Sequence, residues 1–113
     1  MKPYQERLLK LAGFRPHEHI PDWYLIGIKE FMDTEETSHY ALKWHSLDWL
    51  EEYIMPAVRG KYGINEVSFY YEETGIAWCD LIKHKDDWAN SLAYQSGNTL
   101  VAALNNTLEE LVK

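Results

Sequence analysis

Hydrophobic positions alternate along two short stretches of this chain and recur at helical spacing along several others. In residues 67–71, Val67, Phe69 and Tyr71 alternate with Ser68 and Tyr70. In residues 76–82, Ile76, Trp78 and Ile82 alternate with Ala77, Cys79 and Leu81. Glu72-Glu73-Thr74-Gly75 separates the two runs, so together they read as a β-hairpin. The second run is largely apolar on both faces, the pattern of a strand covered on two sides. Helices on both faces of a small antiparallel sheet would satisfy it.

Three segments carry the helical period. Residues 4–12 place Leu8, Leu9 and Leu11 mostly on one side, with Pro3 near the first turn and Gly13 as a C-terminal cap. Residues 46–60 open on Ser46 as N-cap, with Asp48 and Glu51 where carboxylates complement the helix dipole. Leu47, Leu50, Tyr53, Ile54, Ala57 and Val58 form one apolar stripe there. Pro56 removes one backbone bond and predicts a kink or an end to the regular helix near Met55. Residues 98–112 place Leu100, Val101, Leu104, Leu108, Leu111 and Val112 on one face, with Asn98 as cap and Gly97 as entry turn.

The stretch before the second helix is ambiguous. Pro16 and Pro21 make residues 14–22 a loop. Tyr24, Leu25, Ile28, Phe31 and Met32 recur at helical spacing and predict a short helix capped by Asp22. Leu25-Ile26-Gly27-Ile28 also fits a strand, and Gly27 disfavours a helix by about 1 kcal/mol. Residues 33–39 are polar and read as a mobile connection.

The predicted fold is therefore one α+β domain spanning residues 1–113. A small antiparallel sheet around the 67–71 and 76–82 hairpin is packed by helices near 4–12, 46–60 and 98–112, in the manner of an α/β/α sandwich. Composition supports a packed core: 46% of the 113 residues are hydrophobic, with five Trp and eight Tyr. The net charge of −7 argues against general binding to a nucleic-acid backbone, which needs clustered Lys and Arg. Cys79 is the single cysteine, so no internal disulfide forms. No run approaches the ~20 apolar residues of a membrane span, and no apolar signal core follows Met1. A cytoplasmic location and no membrane partner are the expectation.

Several short segments together resemble a known family. Leu8–Phe14, Ser46-Leu47-Asp48, Pro56, Ile76-Ala77-Trp78, Trp88-Ala89 and Thr99–Leu111 are similar to the phage and prophage proteins described as the phage ABA (αβα) sandwich domain. The resemblance covers most of the chain and implies a mobile-element origin and an accessory role. It carries over no activity and no catalytic residues. Residues 21–40 depart from it, being longer and more aromatic.

Candidate chemistry is sparse. His17-Glu18-His19 offers two imidazoles on one side of an extended segment, the start of a metal site that still needs His39, His45 or Asp48. Two solvated histidines in a proline-bounded loop are the plainer account. Cys79 reads as a small buried hydrophobe, because neighbouring Asp80 points to the opposite face of the strand. Asp80 interrupts the face shared by Ile76, Trp78 and Ile82. Glu51-Glu52 and Glu72-Glu73 are adjacent pairs and do not converge as acid–base carboxylates must. No cofactor is implied.

The aromatic surplus is the strongest functional signal, because exposed Trp and Tyr mark interfaces. It predicts a non-enzymatic protein that binds a host or phage protein, or itself as a homodimer, with Trp44, His45, Asp48, Trp49 and Trp78 as the binding residues. The alternative is a ligand- or metal-binding protein or small enzyme. It would have a pocket built from Trp44, His45, Asp48 and Trp78.

Overall fold

The computed structural model describes residues 1–34 and 38–113. Ten elements follow one another. Helix α1 spans Pro3–Leu11, and strands β1 (Arg15–Pro16), β2 (Trp23–Ile26) and β3 (Lys29–Met32) come next. Helices α2 (Leu47–Tyr53) and α3 (Met55–Tyr62) precede strands β4 (Glu66–Tyr71), β5 (Ala77–Lys85) and β6 (Trp88–Gly97), and α4 spans Leu100–Leu111. The strands form two antiparallel three-stranded sheets, ordered β1-β2-β3 and β4-β5-β6. The α+β class expected from the pattern is the class observed.

The helices begin and end for local reasons. Pro3 opens α1, and Gly13 and Phe14 close it by donating their N–H groups to Lys10 O and Leu9 O. Ser46 Oγ accepts from Trp49 N across 3.3 Å and caps α2. The α2–α3 break falls at Ile54, two residues before Pro56, as the missing proline N–H requires. The cap of α4 is Thr99, whose Oγ1 accepts from Ala102 N across 3.1 Å, and not Asn98.

Gly97 has a packing role instead of a turning one. A Cβ there would lie 2.5 Å from Ala103 N and 2.8 Å from Ala102 C, so α4 could not approach the end of β6.

The segment expected to be helical after Asp22 is a β-hairpin. Trp23 pairs with Met32 and Ile26 with Lys29, leaving Gly27-Ile28 as a two-residue turn. Gly27 sits at φ 58, a backbone angle that a side chain resists, so the glycine that weakened the helix reading is the turn itself. Asp22 caps nothing. It takes φ 63, and its carbonyl accepts from Asp33 N across 2.7 Å.

The core lies against one face of the β4-β5-β6 sheet. Ala77, Cys79 and Leu81 are fully buried and share a cluster with Leu8, Leu50, Ile54, Met55, Val58, Leu104 and Leu108. Helix α4 packs across β5 and β6, and α1 touches both α3 and α4. A group of rings within the same core fastens the β1-β2-β3 sheet to α2. Phe14, Phe31, Trp44 and Tyr53 surround Trp49 at centroid distances of 6.1, 6.0, 5.5 and 5.4 Å.

Among the described residues, no helix covers the opposite face of the second sheet. Alternation puts Trp78, Asp80 and Ile82 there, all half-buried, beside Tyr70 and Tyr94, which are 45% and 39% exposed. The two-sided apolar pattern of β5 is satisfied by stacked rings in place of a second helical layer.

Candidate functional site

Three aromatic residues from three adjacent strands stand side by side on that open face. Tyr70 of β4 is directly opposite Trp78 of β5, with the rings stacked at 6.3 Å and 12°. Trp78 stacks on Tyr94 of β6 at 4.7 Å and 19°, a diagonal neighbour because Trp78 faces Ser96 and Asp80 faces Tyr94. Such cross-strand contacts stabilise the sheet and leave a partly exposed aromatic row.

Carboxylates surround the row. Glu72 Oε1 accepts from Trp78 Nε1 across 2.6 Å, and its Oε2 accepts from Thr74 Oγ1 across 3.0 Å. Asp80 Oδ1 accepts from Ser91 Oγ across 2.5 Å. Glu66 Oε2 lies 3.0 Å from His84 Nε2. The aromatic row is thus flanked by carboxylates at the β4 edge and, through Asp80, on the central strand, an arrangement that suits a partner presenting Lys or Arg around an apolar centre.

Beyond the body of the sheet, β5 and β6 continue as a ribbon whose residues from Lys83 to Leu92 are all exposed. The ribbon turns at Asp86-Asp87, with Asp86 at φ 57, and Trp88 at its tip is 76% exposed. A register shift between Leu81 and Ile82 inserts one extra β6 residue where the ribbon leaves the body.

The residues singled out from sequence divide sharply. Trp44 and Trp49 are 7% and 5% exposed and belong to the core, not to an exposed aromatic patch. Sheet β1-β2-β3 explains this: a hairpin too small to carry its own core needs these rings beneath it. His45 and Asp48 are exposed on the α2 side. Trp78 alternates with Ala77 and Cys79, which join the Trp44 and Trp49 cluster, and so points away from that cluster. The pocket expected from Trp44, His45, Asp48 and Trp78 is therefore not assembled. Trp44 and His45 instead line an open cleft of about 1100 Å³ with Lys2, Asp33, His39 and Ser46.

His17 and His19 lie with ring centroids 6.3 Å apart, but His17 Nδ1 already accepts from His19 N and Ile20 N, each across 3.0 Å. Among the described residues, no group of three or more His, Cys, Asp or Glu could hold a metal ion. Cys79 is fully buried, and that burial raises its thiol pKa to about 11. It behaves as the small hydrophobe its strand position suggested.

Tyr94 and the whole of β6 were not read from the sequence. The signal available was Asp86-Asp87, a two-residue turn between strand-like flanks, but Asn90, Ser91 and Ser96 break the apolar alternation after it.

No helix among the described residues is long and apolar enough to cross a membrane. In comparisons with known proteins, the chain matches no family model, no curated protein and no solved structure.

Proposed function

We propose that this chain is a non-enzymatic protein-interaction module of the phage-accessory kind its sequence resembles. Its docking surface is the open face of the β4-β5-β6 sheet. The observation that carries the reading is the stacked Tyr70–Trp78–Tyr94 row, half exposed and bordered by Glu66, Glu72 and Asp80. Rings already held in place lose little entropy on binding, which is why Tyr and Trp recur as interface anchors. These carboxylates select a partner whose facing surface is basic.

The test is affinity capture with the wild type, a Tyr70→Ser/Tyr94→Ser variant and an Ile28→Ser control. Ile28 is fully exposed on the far hairpin, so its loss changes the surface without touching the proposed face. A partner held by the wild type and the control, and lost from the double variant, supports the reading. A partner held equally by all three refutes it.

A second reading, a small-ligand protein, is favoured by one observation. Trp44 is among the residues lining the open cleft, and its Nε1 is buried without a hydrogen-bond partner among the described residues. A thermal-shift screen of small anionic and aromatic metabolites tests it, since a ligand that binds only the folded state raises Tm.

A further inference from the structure

Strand β4 is an edge strand, and nothing among the described residues pairs with its outer side. The phase of its hydrogen bonding is set by Glu72, which donates its N–H to Ile76 O across 2.8 Å. In an antiparallel ladder the bonded residues alternate. The backbone groups of Ser68 and Tyr70 therefore point at β5, and those of Val67, Phe69 and Tyr71 point outward. Edge strands are commonly blunted by Lys, Pro or a bulge. β4 reads Glu-Val-Ser-Phe-Tyr-Tyr, with none of these, and pairs in unbroken register from Glu66 to Tyr71.

We propose that the outer edge of β4 accepts an extended basic segment of a partner protein as a fourth, antiparallel strand. The inference goes beyond the aromatic face and does not require it. Three features select the occupant. The outward N–H and C=O groups of Val67, Phe69 and Tyr71 match an extended backbone. Val67 and Phe69 are half-buried on the helix-bearing face, where α4 covers β5 and β6, so the residues opposite them are apolar. Glu66 and Glu72 flank the edge six positions apart, about 20 Å along a strand, and both are exposed. Basic residues belong opposite these two carboxylates. The matching segment has Lys or Arg at each end and apolar residues at its second, fourth and sixth positions. A second copy of this acidic chain fits less well, because each copy carries a net charge of −7.

The probe is a capped peptide, Arg-Val-Ser-Val-Ser-Val-Arg, titrated into the whole protein and followed by backbone amide NMR. The expected result is that shifts centre on Val67, Phe69 and Tyr71. Methylating the three Val nitrogens, which face β4, abolishes binding, whereas methylating the two Ser nitrogens, which face away, leaves it within about twofold. Replacing both Arg by Glu weakens binding about tenfold or more, and Glu66→Gln/Glu72→Gln in the protein does the same for the original peptide. Peptide binding retained by the Tyr70→Ser/Tyr94→Ser variant supports the edge even where capture through the aromatic face fails. Equal binding of the two methylated peptides overturns the proposal, as do shifts centred elsewhere. So do Val67, Phe69 and Tyr71 shifts that follow protein concentration without peptide, because then the edge is filled by a second copy.

Discussion

The Tyr4 hydroxyl donates to Asn105 Oδ1 across 3.1 Å, joining α1 to α4 over 101 positions of sequence. Asn105 passes the connection on: its Nδ2 lies 2.7 Å from Trp44 O and 2.9 Å from Val101 O. Both side chains are buried, so the bonds among these polar atoms strengthen one another. Asn105→Ala removes a partner from the Tyr4 hydroxyl and the Trp44 carbonyl together and should cost about 2–4 kcal/mol. Tyr4→Phe leaves only Asn105 Oδ1 short of a donor and should cost about 1 kcal/mol. Urea denaturation of the single and double variants measures both costs. A double variant less destabilised than the sum of the singles is the expected sign of coupling.

Trp49 is the hub of the aromatic cluster, within 6.1 Å of four other rings. Trp49→Ala opens a cavity there and should cost about 3–5 kcal/mol. Trp49→Phe keeps most ring contacts and removes an indole N–H that is buried without a partner among the described residues, so its cost should be less than half as large. Equal destabilisation by the two changes, read from thermal melts, would argue against the hub.

Alkaline pH should loosen the fold through Cys79 and Tyr4. Burial raises the Cys79 pKa from 9.0 to about 11, and burial likewise raises that of Tyr4, with Glu109 adding to it. For both groups the folded state holds its proton more tightly than the unfolded chain. Their stabilisation is therefore complete below pH 9 and is lost as pH rises. The Cys79 part, about 2–3 kcal/mol, disappears between pH 9 and 11. Cys79→Ala should flatten that part of the stability profile. Thiol titration of the folded wild type near pH 8 should be slow and become rapid in urea.

Gly97→Ala should destabilise by about 1–3 kcal/mol, because the new methyl meets helix backbone that cannot swing aside. Chemical denaturation provides the check. A neutral result would mean that α4 does not press on the end of β6 as described.

Much of the architecture is legible in particular residues. Ser46 and Pro56 announced the start of α2 and its break, and the Val67–Tyr71 alternation marked a strand with its pairing partner. These signals are local, a cap or a missing donor or a period of two, and they act on the residues that carry them. The Trp23–Met32 hairpin is hidden in the sequence because five apolar positions also satisfy a helical period, while its deciding residue, Gly27, acts as a helix breaker and a turn former alike. The candidate site was half legible. Trp78 was singled out, but its partners Tyr70 and Tyr94 come from strands whose register no single stretch encodes, and Tyr94 lies on an unread strand. Trp44 and Trp49 looked like surface residues only while the sheet they support was missing from the picture.

The central claim is that the Tyr70–Trp78–Tyr94 face meets a partner protein. The most direct measurement is photo-crosslinking in cells, with a benzophenone-bearing phenylalanine analogue in place of Tyr70 in one preparation and in place of Ile28 in another. The account predicts a discrete crosslinked partner from position 70 and none from position 28. Crosslinking from position 28 alone, or silence from position 70, would contradict it.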